Sequence, residues 1–190
     1  MADDGAQTWT AQASVTDEEF ARMAANGAFR GLGRWELRRG KLHRMSPTYH
    51  PHARALGRIY RALEDGIHAA GLGLEVAPEV SVQFGNGFTP LADIVVCAGQ
   101  HPAFVPGETV RLVIEVADSS LADDRGAKAL DYARAGLVEY IIADLDGRRF
   151  LQCTAPGADG YGLETMTVFG ASLALATLAG VVIDTSRLLT

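Results

Sequence analysis

Apolar residues in this chain follow two rhythms, and the change from one to the other marks out its elements. Thr16, with Glu19 three residues later, forms a capping box ahead of Phe20, Met23 and Ala24, which predicts a short helix. After a glycine-rich break from Asn26 to Gly33, the segment RWELRRGKLHRM alternates about Arg39-Gly40 and predicts a β-hairpin. Pro47 to Pro51 interrupts that pattern. His52, Leu56, Ile59, Tyr60, Leu63 and Ile67 then fall at helical spacing until Gly71, the longest amphipathic stretch.

Three apolar runs follow, Leu74 to Phe84, Leu91 to Val96 and Val110 to Ala117, separated by the turn-rich segments GNGFTP and AGQHPAFVPGE. They read as strands, the last two apolar enough to be central. Asp123 and Asp124 precede a second helix to about Ala135 with Gly136 as its stop, and Val138 to Ala143 reads as another buried strand. Strand, helix, strand implies a crossover. Arg149 to Thr154 and Tyr161 to Val168 flank the loop APGADG and predict an edge hairpin. The pattern is that of an α/β fold. Residues 1 to 14 show no periodicity and are expected to be a disordered tail before one domain spanning 15 to 190.

Composition narrows the function. At 190 residues the chain can bury one substantial core but not two. No stretch approaches the roughly 18 apolar residues that cross a bilayer. The N-terminus, with Asp3 and Asp4, lacks the order of a secretory signal, so no membrane contact and a cytoplasmic location are expected. Cys97 and Cys153 stand apart, without a CxxC pair, and read as reduced structural thiols. The net charge of -6 argues against a generic nucleic-acid coat. Within it, Arg34, Arg38, Arg39, Lys41, Arg44, Arg54, Arg58 and Arg61 crowd one segment opposed only by Glu36. That segment is either a local positive field or a solvated surface.

Two acids stand where burial is costly. Asp93 opens the strand ADIVV and Glu115 lies inside VIEVAD, both among Val and Ile. Each alone could cap a strand or pair with an arginine. Together, at comparable positions on successive strands, they could share Mg²⁺ or Mn²⁺, with waters and a substrate phosphate completing the octahedron. Lys128, on the following helix, is either the i,i+4 partner of Asp124 or a cation reaching back to the metal site to stabilise developing charge.

The residues that carry this pattern, WELRRGKLHRMSP, the helix from His52, ADIVV and LVIEVADSSLADDRGAKALDYARAGLVEYIIADL, resemble the Uma2 family over about residues 16 to 190. The block from Glu115 to Asp144 is the most specific part. The resemblance implies a PD-(D/E)XK, restriction-endonuclease-like core, with a mixed central sheet flanked by helices and preceded by the N-terminal helix and hairpin. It also implies metal-dependent phosphodiester hydrolysis of nucleic acid, with DNA the expected substrate, although no residue pattern separates DNA from RNA. Such compact domains can pair, so a homodimer is among the expectations.

Carried over position by position, the resemblance makes Asp93 the acid of the PD element and Glu115 that of the (D/E)XK element. Ala92 stands where a proline is usual, and Ala117 where the superfamily lysine is usual. Lys128 stands where this family places a substitute. Glu36 matches a family acid and is either a further metal ligand or a partner for a basic residue. His52 matches a family histidine, either a phosphate contact or a helix cap. Tyr132 and Tyr140 are assigned to packing. The rival reading is a catalytically lapsed module that keeps the acids for architecture and binds nucleic acid or protein through the basic segment. The vacant lysine position at Ala117 favours that rival. A hydrolase of another phosphate ester, such as a nucleotide, is a third possibility, without a P-loop to support it.

Overall fold

A computed structural model describes residues 14–189; apart from Ser14, the expected tail lies outside the described residues. In chain order the elements are α1 (Asp17–Ala25), β1 (Trp35–Arg38), β2 (Lys41–Arg44), α2 (His50–Ala69), β3 (Leu74–Gln83), β4 (Leu91–Ala98), β5 (Val105–Pro106) and β6 (Val110–Ala117). There follow α3 (Leu121–Asp123), a π-helical turn (Asp124–Lys128), α4 (Ala129–Arg134), β7 (Glu139–Asp144), β8 (Arg149–Gly157), β9 (Gly160–Val168), β10 (Ser172–Ala174) and β11 (Val182–Asp184). Each strand and helix expected from the sequence is present. The short strands β5, β10 and β11 were not expected.

Seven strands form one mixed sheet in the order β5-β3-β4-β6-β7-β8-β9. Only β3/β5 and β6/β7 run parallel. The β6-to-β7 connection is the expected crossover, carried by α3, the π-helical turn and α4. Ala55, Ile59, Leu63 and Ile67 recur every four residues along α2 and bury one stripe against Ile94, Val96, Leu112 and Ile114 of the sheet. Fully burying each such Ile or Leu contributes roughly 1.5–3 kcal/mol. Tyr132 and Ala129 pack on the opposite face, over Val95, Val113 and Tyr140. Successive side chains of β4 and β6 therefore serve two helical layers. That is why both strands read as continuous apolar runs rather than alternating ones.

The β1–β2 hairpin stands outside this sheet and is clipped to the β3–β4 loop. Arg39 and Gly40 both take positive φ, 50° and 70°, as a two-residue hairpin turn requires. Leu37 and Thr89 exchange both backbone hydrogen bonds, and Gly40 N donates to Gly87 O at 3.0 Å. Asp17 of α1 locks the same loop by accepting from Gly87 N and Thr89 Oγ1 at 2.7 and 2.6 Å. A Cβ on Gly87, whose φ is +71°, would lie 2.7 Å from Gly40 N. Gly87→Ala is therefore expected to cost about 1–3 kcal/mol from the left-handed backbone alone, with the clash adding to it. Urea unfolding measures this, and an unchanged midpoint would mean that the hairpin is not held at this contact.

Candidate active site

The ladder between β4 and β6 pairs Ile94 with Ile114, so one step further along it Asp93 stands opposite Glu115. At that step the Asp93 side chain takes over from the backbone: its Oδ2 accepts from Val116 N at 2.8 Å. The same oxygen bonds Nε2 of His52, in the first turn of α2, at 3.0 Å. Burial works to raise the Asp93 carboxyl, but the His52 bond and charge, with the Val116 N–H, outweigh it and hold it below its ordinary value. His52 rises in turn, mainly through the bond to Asp93. The helix cap weighed for His52 is not what forms: the N-cap of α2 is Tyr49, which makes no side-chain cap bond. Nδ1 of His52 is buried without a partner.

Glu115 is 2 % exposed. Its Oε1 accepts from Lys128 Nζ and from Tyr132 Oη, both at 2.8 Å. Burial pushes this carboxyl up to about 8; Lys128 pulls it back, while Asp93 and Asp124 add to the rise. Lys128, 4 % exposed, is held above its ordinary value. Burial alone would lower it, but Glu115, Glu36 and Asp124 prevail. Lys128 Nζ is also 3.8 Å from Asp124 Oδ1, the i,i+4 partner expected of it, so the amine stands between the two acids. Asp124, Lys128 and Tyr132 stand four residues apart, and the π-helical turn, in place of the uninterrupted helix expected, delivers the first two. Packing was the right role for Tyr132, whose ring meets Phe84, Phe88 and Tyr140. Its hydroxyl's place on Glu115 went unread, although the four-residue spacing was visible.

Glu36 on β1 is 3 % exposed, with Oε2 accepting from Leu91 N at 3.4 Å and Oε1 3.7 Å from Nη1 of Arg38. It joins Asp93, Glu115, Lys128 and His52 in the wall of one cleft of about 290 Å³. The structure thus brings all five expected site residues together. Of the basic segment, Arg34, Arg38 and Arg44 line the same cleft, while Arg39 lines a separate one. Arg34 pairs with Glu79, Arg38 with Asp123 and Arg39 with Asp131, while Arg54 and Arg58 line another cleft beside Arg148. These partners come from elsewhere in the chain and could not be read locally.

A mixed α/β sheet with two acids opposed at the ends of adjacent central strands, and a lysine delivered by the crossover helix, has the architecture of a restriction-endonuclease-like fold. The sequence profile of the Uma2 family, described as "Putative restriction endonuclease", matches residues 17–186, and the chain belongs to that family. A similar solved structure is the crystal structure of "a putative nuclease belonging to DUF820" from Anabaena variabilis. It superimposes with a TM-score of 0.72 at 12 % identity, covering 92 % of this chain and 97 % of that one, and so shares its fold. No curated protein matches the sequence. No helix among the described residues is long and apolar enough to cross a membrane.

Families of this kind generally act with a divalent metal, and the donor set here suits one. Asp93 Oδ1 and Glu115 Oε2 lie outside the bonds described above, and carboxylate oxygens are the ligands Mg²⁺ and Mn²⁺ prefer. Six Asp and Glu side chains line the cleft beside four Lys and Arg side chains, so carboxyl oxygens predominate among its charged groups. Among the described residues no three His, Cys, Asp or Glu side chains already stand in ligand geometry. An ion at this pair would complete its shell with water, as Mg²⁺ commonly does.

Proposed function

We propose that this protein is a cytoplasmic, Mg²⁺- or Mn²⁺-dependent endonuclease that hydrolyses phosphodiester bonds of DNA. The observation that carries this reading is the convergence of Asp93, Glu115 and Lys128 at one cleft, with Lys128 Nζ 2.8 Å from Glu115 Oε1. Asp93 and Glu115 would hold the ion, with Glu36 as a further carboxylate in the same wall. When bound, the ion would supply a water of lowered pKa as the nucleophile. Lys128 would donate to the negative charge that develops on the phosphoryl oxygens, where a buried cation acts with little screening. Val116 N–H and His52 aim the Asp93 carboxylate, and Tyr132 aims that of Glu115. A phosphate contact by His52 would require Nε2 to release Asp93. Two buried free thiols, Cys97 and Cys153, accord with a reducing compartment.

The vacant superfamily position at Ala117 was the main reason to read a lapsed binding module. An amine reaching the site from the helix weakens that reason. Supercoiled plasmid should be nicked in Mg²⁺ or Mn²⁺, with no product in EDTA. Asp93→Asn, which keeps the shape of the side chain and removes its charge, should lose Mn²⁺ binding and nicking together while its melting curve still shows a folded protein. Nicking at the wild-type rate by Asp93→Asn would overturn the assignment.

A further inference from the structure

Arg38 projects from β1 with its side chain only 11 % exposed, and its Nη1 and Nη2 donate to Oδ2 and Oδ1 of Asp123 at 2.6 and 3.1 Å. Two such parallel bonds are the geometry with which a guanidinium grips a planar carboxylate or the face of a phosphate. The partner is more open to solvent: the Asp123 side chain is 51 % exposed, in the first turn of the crossover helix. Arg38 does not need Asp123 to be neutralised. Glu36 Oε1 is 3.7 Å from Nη1, Asp131 Oδ2 is 3.9 Å from Nε, and that Asp131 oxygen is buried with no hydrogen bond of its own.

Asp123 also stands in a wider cationic field. Its carboxyl is held below the ordinary value first by the Arg38 bond, against burial, and then by the charges of Arg38, Lys128 and His43. Arg38, Lys128 and His43 arrive from β1, the π-helical turn and β2, and all of them, with Asp123, line the cleft that holds Asp93 and Glu115. A half-exposed carboxylate bound in a two-pronged fork beside a hydrolytic site occupies the place an anionic substrate group would take.

We propose that Arg38 is a phosphate-binding residue, and that the Asp123 carboxylate stands in for the phosphate until substrate displaces it. The assignment of that phosphate to a nucleic-acid backbone rests on the endonuclease reading; the anion site itself does not. Arg38 would hold a phosphodiester of the bound strand through Nη1 and Nη2, and the half-exposed Asp123 side chain would turn outward into solvent. If Asp123 fills the fork nine-tenths of the time, removing its charge tightens phosphate binding about tenfold, since only the open fraction binds.

The test is made in metal-free buffer, so that it reads binding and not cleavage. Titrating ¹⁵N-labelled wild-type protein with inorganic phosphate should shift the Arg38 Nε–Hε resonance, which needs no variant to fold. Asp123→Asn should bind phosphate about tenfold more tightly, and adding Arg38→Lys should abolish the gain. An unmoved Arg38 resonance at saturating phosphate, or no tightening in Asp123→Asn, overturns the site. A short DNA duplex without terminal phosphates, compared with a nucleoside monophosphate, separates diester from monoester; a gain confined to the monophosphate overturns the diester assignment. Tightening without plasmid nicking by the wild type keeps this site and removes hydrolysis. Nicking without tightening removes this site alone.

Discussion

Lys128→Met is expected to slow plasmid nicking by about 10²–10³-fold, the usual loss when one donor to developing transition-state charge is removed. The fold should survive. Methionine matches the apolar stem of lysine, so the 4 %-exposed position stays filled. Glu115, left without its cation, need not remain a buried charge, because burial already pushes its carboxyl up to about 8 and a proton can take the place of Lys128. Tyr132 Oη still reaches the same carboxyl. Nicking rates beside melting curves test this. A folded variant that nicks as fast as the wild type would make Lys128 an architectural partner of Glu115 and Asp124 only.

Glu139→Ala is expected to lower stability by about 3–5 kcal/mol, since hydrogen bonds to a charged group are worth roughly 1.5–3 kcal/mol each and do not add fully. Glu139 is fully buried in β7 and accepts four times. Oε1 takes Gln152 Nε2 and Ala176 N at 2.6 and 2.9 Å, and Oε2 takes Thr177 N and Oγ1 at 2.7 and 2.6 Å. The carboxylate thereby fastens the stretch between β10 and β11 to the sheet. From there Leu175, Leu178 and Val181 close the core over α2. Hydrogen exchange in the variant should show the Ala176 and Thr177 amides unprotected. Because Glu139 does not line the cleft of Asp93 and Glu115, nicking per folded molecule should stay at the wild-type level. Unchanged protection at these two amides would sink this account of the clasp.

Much of the site was legible because it breaks local rules. Asp93 and Glu115 announce themselves as charges inside apolar runs, where burial is too costly to be accidental. The hairpin carrying Glu36 was legible from the alternation about Arg39-Gly40, and the crossover from its strand–helix–strand pattern. What stayed hidden depends on partners far apart in the chain. His52 meets Asp93 across 41 residues and Arg38 meets Asp123 across 85, and no local pattern encodes either pair. The basic segment left two readings open for the same reason: composition counts charges, but Glu79, Asp123 and Asp131 decide where its arginines turn. The strands β10 and β11, three residues each, are too short for a period to register and are held by Glu139 from another part of the chain.

From its sequence alone this protein was bound to form apolar central strands, an amphipathic helix over them and a pair of acids within them. Those features rest on local periodicity and on the cost of burying charge, and neighbours along the chain express both. The tertiary structure decided which oxygen meets which donor. It set Asp93 beside His52 and Glu115 beside Lys128 and Tyr132, opened the crossover helix into a π-helical turn, and laid Asp123 in the fork of Arg38. Hydrogen bonds of this kind depend on distances within a few tenths of an ångström, and only the packing of whole layers against one another sets such distances.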